Sequence, residues 1–225
     1  MEPLFILRES YSHIWKGVTF PPKHLMQIDN KISKKLLYKI LIKNDLENLR
    51  RVRAVGQGTS GVVHLIEYKN EHVVLKTFKN DKPKTFRREA NKHFILDGAG
   101  GAPVIYCICS TPPALVMSYT GIAFEKLYFT WSEKQLVCYL IKLAEALEEI
   151  HAKGVIHNDL KVNNITVLDE EVHVIDFGLS TMAGEVFPFI PAKRCNWMAP
   201  ELSNGQPTSP ASDVFSFSTI IGTVV

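Results

Sequence analysis

The sequence changes its hydrophobic period once, and that switch limits the folds open to it. From Arg51 the apolar residues come in short β-type runs, "RVRAVG", "GVVHLIEY" and "HVVLKTF", which read as an antiparallel meander. A helical stretch, "KTFRREANKHFIL", interrupts them before "VIYCIC" and "ALVMSY" resume the strand pattern. After Gly121 the period becomes helical. "SEKQLVCYLIKLAEALEEIHAKG" repeats every 3.6 residues and stops at Gly154. A β-rich part therefore precedes an α-rich part, with a crossing segment near Ser118–Gly121, the kind of junction where a cleft is expected.

Bulk properties exclude several classes. Hydrophobic residues make up 46% and charged residues 22% of the 225, so the chain has the balance of a globular protein. A net charge of +3 demands no nucleic acid or membrane surface, and no apolar run reaches the length of a membrane span. Glu2, Arg8 and Glu9 interrupt the first residues in a way a signal peptide does not. Cys107, Cys109, Cys138 and Cys195 show neither metal nor disulfide spacing and are expected as free thiols, which suits an intracellular, cytoplasmic protein. Ahead of the β-runs, Ile32, Leu36, Leu37, Ile40, Leu41 and Leu46 are spaced for an amphipathic helix over about 31–48, capped by Asp29 or Asn30.

Chemistry-bearing residues recur at informative spacings. "VGQGTSGVV" places Gly56, Gly58 and Gly61 between two strand-like runs, where a Rossmann turn would instead lead into a helix. Alone it reads as well as a hairpin turn; as a phosphate flap it closes by backbone approach, with Val63 pressing on a nucleotide base. Lys76 sits in an otherwise apolar strand and needs an anion. Glu89, in the following helix beside Phe86, His93 and Leu96, can supply one. "VIHNDLKVNN" contains Asp159, able to take a proton from an attacking hydroxyl, with Lys161 beside it and the Asn164 amide oxygen five residues on. "VHVIDFG" ends in Asp176, a hard oxygen ligand suited to Mg²⁺. "WMAPE" and "SDVFSFS" follow.

In this order, from Val55 to Ser218, the motifs resemble those of the eukaryotic protein kinase family. The resemblance implies an α+β, two-lobed protein-kinase-like fold over 50–225, with a β-rich N-lobe (50–120) and an α-rich C-lobe (121–225) lacking its last helices. Residues 1–49 would be an N-terminal extension, a place for a regulatory partner. It implies ATP and Mg²⁺ as cofactors and a protein hydroxyl as acceptor. Lys76 would hold the ATP phosphates while paired with Glu89, and Asp159 would be the catalytic base with Lys161 beside it. Asn164 and Asp176 would hold the metal. Val55, Gly56, Gly58, Gly61 and Val63 would cover the nucleotide, Met117 would guard the back of the adenine pocket, and Ser118, Tyr119 and Thr120 would form the hinge. Asp213 would brace the catalytic loop.

The departures also carry expectations. Asn158 replaces the Arg that in many relatives grips a phosphate on the activation segment, Asp176 to Glu201. Between Met182 and Trp197 that segment has no Ser, Thr or Tyr; only Ser180 and Thr181 could be modified. Activity that is constitutive or set by a partner follows from the two absences together. Lys161 leans toward Ser/Thr kinases, although Arg194 stands where they usually carry Thr. The chain stops at Val225 where relatives have further helices, one of which supplies an Arg to the residue matching Glu201. Glu201 is thus expected without a partner, the apolar end "FSFSTIIGTVV" on an unfinished core, and the chain as a truncated product or fragment. Two rivals stay open: a pseudokinase or regulatory binding module that binds nucleotide without transfer, and a small-molecule kinase, against which residues 176–214 weigh.

Overall fold

In a computed structural model of the chain, residues 39–40, 43–68, 70–79, 83–188 and 195–225 are described. They divide into two compact units: residues up to Asn91 with Ile105–Met117, and Lys92–Val104 with Ser118–Val225. Among the described residues no helix is long and apolar enough to cross a membrane. All four cysteines are free, and burial pushes the Cys109 thiol up.

The first unit is built on a six-stranded sheet, ordered β1-β5-β6-β4-β3-β2. Its strands are β1 (Lys39–Ile40), β2 (Arg50–Gln57), β3 (Gly61–Tyr68), β4 (Glu71–Phe78), β5 (Ile105–Ser110) and β6 (Pro113–Ser118). The expected meander β2-β3-β4 is antiparallel throughout, as is β5-β6. Because strand side chains alternate, β4 serves two partners. Val73 and Leu75 enter a cluster with Leu46, Ile66, Cys107, Cys109 and Val116. On the opposite face, Lys76 and Phe78 turn toward helix α2 (Pro83–Leu96), where the Phe78 and Phe86 rings meet edge-on at 5.3 Å.

The helix expected over 31–48 is corrected. Lys39–Ile40 is a strand, pairing in parallel with Cys107 and Ile108, and helix α1 covers only Lys43–Glu47. Sheet pairing overrides the local helical period there. Residues 31–38, and the rest of the N-terminal extension before them, lie outside the described residues.

The second unit is organised by α3 (Glu133–Ala152), whose N-terminus is closed by a capping box between Ser132 and Gln135. Leu136, Leu140, Leu143, Leu147 and Ile150 form one buried stripe on it, and the chain leaves the helix through Gly154 at φ +73°. Around the stripe gather β7 (Ile122–Ala123), β8 (Val155–Ile156), β9 (Ile165–Leu168), β10 (Glu171–Val174) and β11 (Thr181–Met182). They pair as β10-β9-β7 and β11-β8. Two helices complete the unit, α4 (Pro200–Ser203) and α5 (Pro210–Val224).

Gly121 enters β7 at φ +95°, and a Cβ there would lie 1.9 Å from the Val167 carbonyl oxygen. Only glycine lets β7 approach β9 this closely. Gly121→Ala is expected to destabilise the protein by at least about 2 kcal/mol, read as a lower urea midpoint at unchanged slope.

Candidate active site

In the first unit the glycine segment is the turn of the β2–β3 hairpin. The Gly58 N–H donates to the Gly61 carbonyl at 2.9 Å. A Cβ on Gly61 would meet the Thr77 carbonyl oxygen at 2.0 Å, so that position is bound to glycine by its neighbour β4. Gly56 and Gly58 are exposed, Val55 and Val63 half-buried. Val63 stands opposite both Gly56 and Lys76 in the sheet register.

Lys76 is no snorkelling surface lysine. Its side chain is 7% exposed, and Nζ donates to both carboxylate oxygens of Glu89, at 2.6 and 2.8 Å. Glu89 shares the inner face of α2 with Phe86 and Ala90, as the helical spacing requires. Neither charge is tolerable there without the other. Met117 is buried in β6, the last residue of its unit before the division at Ser118.

In the second unit, Ser118 exchanges hydrogen bonds with Val104: its N–H donates to the Val104 carbonyl, and its Oγ accepts from the Val104 N–H at 3.0 Å. Tyr119 is half-buried, and Thr120 accepts from the Thr166 hydroxyl at 2.9 Å. After Gly154 and β8 comes the loop carrying Asp159. The Asp213 carboxylate, fully buried on α5, accepts the backbone N–H groups of His157 and Asn158, both at 2.8 Å. It also accepts the His151 ring N–H at 2.9 Å. Asp213 thus braces the loop through its peptide groups. His157 is buried too. Its Nε2 meets the Ile175 carbonyl at 2.9 Å and its Nδ1 accepts the Asp159 N–H at 3.2 Å, which fixes the neutral tautomer with the proton on Nε2.

Asp159 is held by three side chains. Lys161 Nζ donates to Oδ1 at 3.1 Å and Oδ2 at 2.8 Å. Asn164 Nδ2 donates to Oδ2 at 3.0 Å and to the Asp159 carbonyl at 2.8 Å. The third donor, Trp197 Nε1, reaches Oδ1 at 2.8 Å. The Ile175 N–H donates to the Asn164 carbonyl, and Asp176 follows one residue later in a left-handed conformation (φ 65°, ψ 68°). With its amide nitrogen committed to Asp159, Asn164 turns its oxygen the other way. An amide oxygen just before β9 and a carboxylate just after its partner β10 suit Mg²⁺, which takes few protein ligands and completes its shell with water or phosphate. The donor set fits the metal the resemblance implies.

Asn158 is buried and donates Nδ2 to the Leu179 carbonyl at 3.2 Å and to Thr181 Oγ1 at 2.9 Å. Thr181 meets the Thr208 hydroxyl at 2.6 Å, and Thr208 donates to the Glu185 carbonyl at 3.1 Å. A neutral chain of hydrogen bonds thus runs from the Asp159 loop across the residues that follow Asp176. Ser180, the other modifiable residue, is 1% exposed and donates to the Phe177 carbonyl at 2.7 Å. Both hydroxyls are enclosed. Residues 189–194, including Arg194, lie outside the described residues.

The expectation that Glu201 lacks a partner is corrected: Ser212 Oγ donates to its Oε1 at 2.6 Å. Ser212 also belongs to the box that caps α5, so the contact comes with the start of that helix. Sequence reasoning missed Trp197 and Ser212 as donors, having read their motifs only as markers.

The description "protein kinase domain" matches residues 49–225. The chain belongs to the protein kinase domain family. A probable serine/threonine-protein kinase of Dictyostelium discoideum is 41% identical over 87 residues, a stretch covering 38% of this chain and 6% of that protein. Membership of the kinase family accounts for the motif order, while the Asn158 chain and the Trp197 contact are features of this kinase domain's own residues. Replacing Asp213 by Asn sets an amide donor against loop N–H donors. Asp213→Asn is expected to cost about 3 kcal/mol in urea unfolding, since hydrogen bonds to a buried charge are lost.

Proposed function

We propose that this chain is the catalytic part of an ATP- and Mg²⁺-dependent protein kinase that phosphorylates Ser or Thr. The observation that carries the reading is the placement of Asp159, an acceptor-only carboxylate on a loop fixed by Asp213 and flanked by Lys161 and Asn164. Such a group can accept the proton of a substrate hydroxyl as its oxygen bonds to the γ-phosphorus and the bond to the ADP oxygen breaks. Lys76, oriented by Glu89, offers an ammonium to the ATP phosphates. Asn164 and Asp176 are the residues to hold Mg²⁺, which when bound neutralises phosphate charge. The glycine turn, Met117 and the Ser118–Thr120 segment are assigned to nucleotide binding. The serine/threonine assignment leans on Lys161 and on the similarity to the probable serine/threonine-protein kinase of Dictyostelium.

In this reading residues 50–225 carry catalysis, residues 1–49 serve a regulatory partner, and the protein works inside the cell on a protein substrate. A nucleotide-binding pseudokinase is the second reading, favoured by one observation: each oxygen of Asp159 already accepts two donors.

Incubation with γ-labelled ATP, Mg²⁺ and a mixed protein substrate separates the two. Transfer is expected, and Asp159→Asn is expected to lower it by about 10²–10⁴-fold while Mg-ATP still raises the melting temperature. Equal transfer by the variant, or none by the parent chain, would overturn the kinase reading. Because Ser180 and Thr181 are enclosed and bonded, phosphatase treatment is expected to leave the activity unchanged. A loop phosphate needed for activity would contradict that.

A further inference from the structure

Asp159 has room for about four hydrogen bonds, two on each oxygen, and all four are made. Of its three donors, Asn164 is anchored twice, to Oδ2 and to the Asp159 carbonyl. Lys161 sits on a flexible stem, 29% exposed, with three interchangeable N–H groups. Trp197 is fixed from behind: the Ser216 hydroxyl donates to its backbone carbonyl at 2.6 Å. Its ring lies under the Lys161 ammonium, 5.0 Å from ring centre to Nζ. A cavity of about 290 Å³ opens beside the ring, with Thr219, Ile220 and Thr223 on the far wall. The indole packs against the cluster of Phe187, Met198, Ala199 and Leu202 and is open toward the cavity. The bond to Asp159 and the cation above it complete the fixing of its orientation.

We propose that Trp197 is a positioning residue for the base: its indole N–H locks Oδ1 of Asp159 in place, leaving Lys161 as the donor that yields when a substrate hydroxyl arrives. The proposal rests on Asp159 acting as the base. A ring without the N–H keeps the aromatic packing and loses only the lock, so the two contributions can be told apart.

Trp197→Phe keeps an aromatic ring and removes the N–H. Trp197→His keeps an N–H at the corresponding ring position, and at pH 8 its imidazole is neutral. With Trp197→Phe, kcat is expected to fall about tenfold at unchanged KM for ATP, the worth of one hydrogen bond to a charge. Trp197→His is expected to recover most of the rate at pH 8.

A second readout needs no turnover. The indole N–H resonance of Trp197, identified by its disappearance in Trp197→Phe, should lie downfield, as for a hydrogen bond to a charged acceptor, and move upfield in Asp159→Ala. An unchanged kcat in Trp197→Phe overturns the proposal. So does an indole resonance that stays in place in Asp159→Ala. A parent chain that transfers nothing while its indole resonance still moves in Asp159→Ala overturns the base reading, and the positioning role with it, and is told apart by the intact contact.

Discussion

The second unit depends on one buried carboxylate. Asp213 has no access to water, and its charge is met by the N–H groups of His157, Asn158 and His151. Two of the three are peptide groups, so the carboxylate fixes the path of the loop's backbone. Asp159 follows directly in the chain and inherits that path. His157, locked in one tautomer, passes the constraint to the Ile175 carbonyl, one residue from Asp176. Asp159 and Asp176 are thus referred to a common anchor.

That anchor is one of a row. Ser212, Asp213 and Ser216 are all buried on one side of α5, and each holds a different segment: Glu201, the Asp159 loop and the Trp197 backbone. A helix whose sequence is otherwise apolar and aromatic carries a polar stripe inward. Buried polar side chains are tolerated there because each has its partner. In the first unit, Lys76 and Glu89 satisfy the same condition with full charges, where both ions lose hydration and the bidentate contact offsets that loss.

Much of this was legible in order and spacing. The period-2 runs gave β2 to β6, the 3.6-residue period ending at Gly154 gave α3, and an isolated Lys in an apolar strand asked for the carboxylate that α2 supplies. The helix proposed over 31–48 failed because its spacing was sound locally while Lys39–Ile40 had a better use as an added strand beside β5. The donor role of Trp197 was hidden for another reason. Sequence shows that an indole is present, but its direction depends on where α5 sets the backbone. The partner of Glu201 was sought in the family's pattern and lay instead in a capping serine of this chain.

Asn158 shows how such a departure becomes entrenched. Its side chain is closed in against Leu179 and Thr181, and Thr181 is in turn committed to Thr208. A longer, charged side chain at that position would have no room and would strand one hydroxyl and a carbonyl. Seating an arginine there therefore calls for simultaneous change at Asn158, Thr181 and Thr208, sites far apart in sequence, and each of the three constrains which residues the other two can become.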